Sequence, residues 1–231
     1  MKTRSFRSWN TFRRELSRYA ALPEDRRNQL IFRGQGLASF DLLPTLDRLG
    51  RKRRDWKSDA ARQQAADDLL ENFKNEATLA SQPEPADLED EALELLARHH
   101  ALPSPLLDFT RSPFIATYFA YANCRDRQAC AVWQLDRSVL PENLPELRVI
   151  EDPMLIRFNA RALRQRGVFV RLGTGSSPLT ELVGDAVTRY TLPASSRIEA
   201  LAELDEMGIN AASLFGDLDS VARTAAGRSG W

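Results

Sequence analysis

The two histidines of this chain, His99 and His100, are adjacent and lead into a corner that holds Ser104, Asp108, Thr110, Arg111 and Ser112. A second polar group lies upstream, where Arg33 and Gln35 flank Gly34 at the end of an apolar run. These residue types suit recognition of an anionic ligand. A guanidinium presents five donors in a planar fork that matches a pyrophosphate, and Gly34 allows a ligand to approach the backbone closely. Asp108 follows two leucines and precedes Phe109, which predicts burial, and a buried carboxylate must be paired or multiply hydrogen-bonded. It either holds Arg33 or caps the turn. Arg33 in turn either meets a phosphate or pairs with an acid such as Asp108. A histidine of shifted pKa can do acid–base work, but one on an apolar helix face can equally be core. Thr110 and Ser112 offer hydroxyls to a ligand, while Ser112 is also a sound helix cap.

Other chemistries fit less well. Neighbouring histidines on a helix point about 100° apart, and a His-Glu-x-x-His spacing is absent, so no metal is predicted. Cys124 and Cys130 have no histidine at ligand spacing and read as reduced, small core residues. Ser104, His100 and Asp108 would form a hydrolase triad on paper, yet no Gly-x-Ser-x-Gly elbow accompanies them. No P-loop or Gly-x-Gly-x-x-Gly is present, and residues 173–177 read as a loop between strands.

Several elements must position these side chains. Trp9, Phe12, Leu16 and Tyr19 recur at helical spacing and predict an amphipathic helix over 6–20. Residues 29–33 read as a strand stopped by Gly34, and Leu42 to Leu46 as an apolar turn. A second helix covers 59–80 and is broken at Pro83 and Pro85. Asp87 can cap the next, whose apolar face carries Leu88, Ala92, Leu95, Leu96 and His99. Residues 101–111 are non-helical. Ser112 and Pro113 then start a helix that is apolar nearly all round and therefore buried. Strands are predicted near 129–135, 167–172 and 186–192. Ser196 and Glu199 have the capping-box form before a helix that Gly208 closes. A last short helix begins at Leu214. Helices that precede most of the strands point to an α+β fold, and the lack of repeats or linkers to one domain.

The 231 residues are 43% apolar and 28% charged with zero net charge, the profile of a soluble globular chain. The N-terminus lacks an apolar signal core and no window is apolar enough to span a membrane, so a cytoplasmic protein without a membrane partner is predicted. The charge is uneven. Residues 1–62 carry 16 Lys plus Arg against 7 Asp plus Glu, whereas residues 67–94 carry 1 against 10. The basic part includes Arg51-Lys52-Arg53-Arg54 and reads either as a solvated loop or as a contact for phosphates.

The ordered motifs resemble those of the FRG domain family of bacteria. They are Phe32-Arg33-Gly34, Leu42-Leu43-Pro44-Thr45-Leu46, the run from His99 to Ala120, Gln165-Arg166-Gly167-Val168-Phe169, and Glu203 to Leu218. Arg98 stands where the family has Gln, Ala101 for Gly, Pro105 for Arg, Phe109 for Trp and Gly216 for Pro. Arg111 is a candidate to replace in space the arginine lost at Pro105. The resemblance implies a single FRG-like domain over 1–231, with a core of about 28–222 and residues 1–27 as an N-terminal amphipathic helix. The motif order is further similar to that of ADP-ribosyltransferases, which implies a small sheet core with N-terminal and C-terminal helices. It also implies NAD as co-substrate, without a metal, in a transfer that suits a toxin or phage-defence role. The catalytic residues would be Arg33, His100 and Gln165, and the cofactor contacts Arg33, Gln35, His99, Asp108, Thr110 and Ser112. The late glutamate of that fold is missing here. The alternative is a non-enzymatic module for nucleic acid or a protein, with Trp9, Phe12, Tyr19 and Trp56 available for stacking.

Overall fold

A computed structural model describes residues 1–53, 58–80, 88–125, 127–157, 159–173 and 177–229. In chain order its elements are β1 (Lys2–Ser5), α1 (Trp9–Ala20), α2 (Glu24–Asn28), β2 (Leu30–Gln35), α3 (Thr45–Arg53), α4 (Asp59–Leu79), α5 (Asp90–His99) and β3 (Leu106–Thr110). There follow α6 (Pro113–Ala122), β4 (Cys130–Asp136), β5 (Leu147–Ile150), α7 (Pro153–Ile156), α8 (Ala160–Arg164), β6 (Gly167–Leu172) and α9 (Leu179–Leu182). The chain closes with β7 (Val187–Leu192), α10 (Arg197–Glu206), α11 (Ala211–Phe215) and α12 (Leu218–Arg228). This is a mixed α+β fold. The described strands make one sheet in the order β1-β7-β4-β2-β3-β6-β5, antiparallel throughout except for β1 beside β7.

One face of the sheet packs on α1, α6 and α10. Trp9, Phe12 and Leu16 recur along one side of α1 and meet Ala116, Ala120 and Tyr121 of α6 and Ala200 and Leu204 of α10. The period-two alternation of β2 sends Leu30 and Phe32 to this side and Ile31 to the other. There Ile31 joins Trp133, Leu135, Leu107, Phe109 and Val170. A third cluster, with Leu95, Leu106, Ile156, Ala162 and Phe169, seats α5, α7 and α8 against the outer face of β3 and β6. Cys124 and Cys130 are buried free thiols. Among the described residues no helix is long and apolar enough to cross a membrane.

Several predicted elements change on folding. Strand β2 runs through Gly34 rather than stopping there. Residues 101–111 contain a strand, β3, because Leu106, Leu107 and Phe109 find buried places on a sheet. β1 and β5 carry too little apolar alternation to stand out and are recruited by pairing at the two edges. Ser196 does not cap α10; its hydroxyl accepts from the Trp9 backbone N–H (3.0 Å) and ties α1 to α10. Glu89, not Asp87, precedes α5, and Asp87 lies outside the described residues, as do Arg54, Trp56 and 174–176. The final helix is two: Gly216, at φ 79°, takes a left-handed turn that ends α11 before Asp217 caps α12.

Of the stacking side chains of the binding-module alternative, Trp9 and Phe12 are enclosed in the core, Tyr19 is partly buried, and Trp56 lies outside the described residues. Trp9 and Phe12 are 0% exposed, and Tyr19 packs edge-on against Phe32 at 5.0 Å. Much of the N-terminal positive charge is paired, with Arg4 to Glu15, Arg13 to Glu203, Arg26 to Asp136 and Arg62 to Asp47.

Candidate functional site

The site arises from a break in the sheet. β2 and β3 pair at Phe32 and Thr110 alone, and beyond that point the strands part. Arg33 spans the gap with its side chain: Nη1 donates to the backbone oxygen of Asp108 (2.7 Å). Helices α5, α6 and α8 close around the opening and leave a cavity of about 320 Å³, with Phe32, Phe119 and Phe169 among its walls.

Gly34 is required here for a reason other than ligand approach. A Cβ at this position would overlap the Ala116 carbonyl oxygen and lie 2.5 Å from Ala120 N and 2.8 Å from Phe119 Cβ. The space is taken by the backbone of α6, so the glycine seats a helix. The apolar, small-residue character of α6 and the Ser112 cap, whose Oγ accepts from Ile115 N (3.3 Å), serve the same close contact.

The electrostatics centre on Asp108. Its carboxylate accepts from Arg98 Nη2 (2.6 Å) and Nε (3.3 Å) and lies 3.5 Å from Arg33 Nη1. It is 42% open to the cleft, while Arg33 and Arg98 are 13% and 17% exposed. Burial alone would raise the Asp108 carboxyl, but Arg98 and Arg33 overcome it and hold it below the usual carboxylate range. Asp108 is therefore an ionised acceptor at neutral pH. Burial lowers the pKa of Arg33, opposed by Asp108, and leaves its Nε without a hydrogen-bond partner. Arg161 reaches the cavity from α8, also lowered by burial, and Arg48 stands behind with its Nη2 donating to Thr45 Oγ1 (3.1 Å). Guanidiniums stay charged even when depressed, so the cavity presents Arg33, Arg98 and Arg161 against one described carboxylate. His99 is pushed down by burial first and then by His100 and Arg161, which keeps it neutral near pH 7.

The fold brings Arg33, His99, Asp108, Thr110 and Gln165 to this one cavity from β2, α5, β3 and the end of α8. Thr110 is structural as well: its hydroxyl donates to Gln165 O (2.7 Å) and accepts from Ser112 N (3.0 Å). Gln165 Nε2 donates to Leu214 O (3.3 Å). Three candidates are placed elsewhere. His100, one position round the helix, is exposed and stacks on Phe73 at 6.5 Å. Gln35 accepts from Trp133 Nε1 (2.6 Å) and donates to Asp41 O (3.2 Å), so it braces a buried indole. Ser112 is engaged as the cap of α6. Nor does Arg111 stand in for the arginine that the resemblance implies at position 105, because it pairs with Glu151 (2.7 Å). The guanidinium at Asp108 is Arg98.

Arg98 and Arg161 are the charged lining residues that motif reading missed. Arg98 was visible as a departure from the family glutamine, ten residues before Asp108. Arg161 carried no signal, since α8 is a single short turn whose place is set by α11 and the sheet. Residues 28–129 match the FRG domain. That span contains β2, α5, β3 and α6, and with them Arg33, Arg98, His99 and Asp108, whereas Arg161 and Gln165 lie beyond it. No curated protein and no solved structure matches the chain.

Proposed function

We propose that this chain, which carries an FRG domain, binds a nucleotide in the cleft between β2 and β3, with NAD as co-substrate of an ADP-ribosyl transfer. The observation that carries this reading is the charge balance of the cavity: three guanidiniums and a single ionised carboxylate among apolar rings. A positively charged, partly aromatic cavity fits a phosphorylated ligand with a flat base. At about 320 Å³ it lies at the small end of ligand sites, which run from about 300 to 1,000 Å³. It suits one half of a dinucleotide, the other half resting at the mouth.

In the transfer, the bond from the ribose C1′ to the nicotinamide nitrogen breaks and its electron pair leaves with nicotinamide. The positive charge that develops on the ribose faces Asp108, held ionised by Arg98 and aimed into the cleft. Preorganised charge of this kind is worth most in a site closed to water. In this reading Gln165, whose Nε2 donates to Leu214 O, accepts from a ribose hydroxyl through its Oε1. His99, neutral, has a nitrogen able to accept a proton from the incoming nucleophile, after which the ribose–acceptor bond completes the exchange.

The test is calorimetric titration of the protein with NAD together with assay of nicotinamide release, for the wild type and Asp108→Asn. The proposal expects NAD binding by both proteins and release that falls at least tenfold in the variant. An absence of NAD binding and of nicotinamide release with every acceptor tried would overturn it.

A further inference from the structure

The three cavity arginines are not equivalent. Arg98 makes two hydrogen bonds to the Asp108 carboxylate, and Arg33 is tied to the same residue through its backbone oxygen. The Arg161 guanidinium makes no hydrogen bond to a described residue; only its backbone oxygen is engaged, accepting from Gln165 N (3.0 Å). Its guanidinium carbon instead lies 3.9 Å from the centroid of the Phe215 ring. That contact uses the face of the cation and leaves its edge, where all five N–H donors lie, available to an anion. Arg161 is half-buried and shares the cavity with His99, Asn159 and Gln165; of the carboxylates that act on it, Asp108 lines the cavity and Asp217, the cap of α12, lies outside the lining, while Arg223 and Arg98 act as like charges.

Phe215 is itself held from several sides. Arg223 of α12 lies 5.3 Å from the same ring, and Phe119 of the cavity wall meets it edge-on at 5.9 Å. Arg164 Nη1 donates to the Phe215 backbone oxygen (3.0 Å), and Gln165 Nε2 donates to Leu214 O (3.3 Å). The turn of α11 therefore grips α8 at its C-terminal end, which carries Gln165 into the cavity, while the Phe215 ring holds Arg161.

We propose that Arg161, held face-on by Phe215, is the anion subsite of the cleft, and that the group it takes is a phosphate ester. A dianion is favoured because, among the residues that line the cavity, three guanidiniums face one carboxylate, and Arg33 and Arg98 are already tied to that residue. The bidentate edge of Arg161 fits two oxygens of such a group. Phe215 is a positioning residue: it does not touch the ligand, and it fixes the direction of the cation that does. The inference rests on the nucleotide reading for the identity of the whole ligand, but not for the existence of the subsite.

Calorimetry with AMP, adenosine and inorganic phosphate separates the two. In the wild type AMP should bind at least about tenfold more tightly than adenosine, as a charge-assisted hydrogen-bond pair requires. Arg161→Gln should bring that ratio close to one while adenosine binding persists. Phe215→Leu should lower the ratio by about three- to tenfold, and Phe215→Tyr, which keeps the ring, should restore it. A global loss of folding lowers both affinities and leaves no such ratio, and circular dichroism of each variant identifies it. A wild-type ratio that survives Arg161→Gln would overturn the subsite while leaving nucleotide binding intact. Phosphate binding that depends on Arg161, with no added affinity from adenosine, would uphold the subsite and remove the nucleotide. Failure of both AMP and phosphate to bind the wild type would overturn the subsite.

Discussion

Gly34→Ala discriminates between two reasons for a glycine beside Arg33. If the glycine serves ligand approach, the variant folds with wild-type stability and loses binding alone. If it seats α6, stability falls. The added Cβ would overlap the carbonyl oxygen of Ala116 and stand 2.5 Å from Ala120 N and 2.8 Å from Phe119 Cβ. Carbon atoms in contact settle at about 3.5–4.0 Å, so α6 must withdraw by about 1 Å. The obstructing atoms are mostly backbone, and they belong to one helix, so no single side chain can yield. A gap of ~0.5–1 Å forfeits a quarter to a half of each dispersion contact along the seam, and the seam includes Ala116, Ala120 and Tyr121, all 0% exposed. Overpacking costs about 1–3 kcal/mol and sometimes more; with a whole helix displaced, the upper end, about 3 kcal/mol, is expected. For a chain of this length that lowers Tm by about 6–12 °C. Urea denaturation followed by circular dichroism measures it directly, through a lower midpoint at unchanged slope. A Gly34→Ala protein within about 0.5 kcal/mol of wild type would refute the seating of α6 on β2.

Other perturbations test other parts of the fold. Asp47 and Arg62 are 1% and 2% exposed and paired, with Arg62 also donating to Leu172 O and Gly173 O, so Asp47→Ala leaves a buried cation uncompensated and should cost about 3–5 kcal/mol. The joint change Asp47→Leu with Arg62→Met should cost much less in the same denaturation assay. Ala101 ends α5 at φ 67°, with Leu102 N donating to Ala97 O and Ala101 N to Arg98 O, the glycine-favouring helix stop. Ala101→Gly should therefore stabilise by about 0.5–1 kcal/mol, read as a higher urea midpoint. His99 has a lowered pKa in the folded state, so the unfolded chain takes up its proton first and stability falls as pH drops below about 6.5. A pH series of denaturation midpoints should show that loss in the wild type and a flatter profile in His99→Gln. Asp108 acts at lower pH, because a depressed carboxyl contributes stability above about pH 4 that disappears as pH falls through its folded value.

The amphipathic spacing of Trp9, Phe12 and Leu16, the Ser112-Pro113 start of α6 and the runs that became β4, β6 and β7 were legible because each signal is local: an apolar period, a cap or a β-rich run. Motif order likewise marked Arg33, His99, Asp108, Thr110 and Gln165. Two residues grouped with them do not line the cavity, one for a local reason and one for a tertiary one. His100 is turned about 100° from His99, and Gln35 points to a buried indole that no nearby sequence announces.

What the chain by itself determined is the set of elements and a list of polar residues that needed partners. Whether those residues would share a site depended on contacts between segments distant in sequence. Arg33 meets Asp108 across 75 residues because β2 and β3 pair once and then part. Arg98 rather than Arg111 answers the carboxylate because α5 ends above β3. Arg161 enters the cleft only because α11, some fifty residues later, grips the turn that carries it. Tertiary packing places these groups, since a charged side chain takes the direction in which its partners lie, and periodicity within one segment holds no record of partners supplied by another.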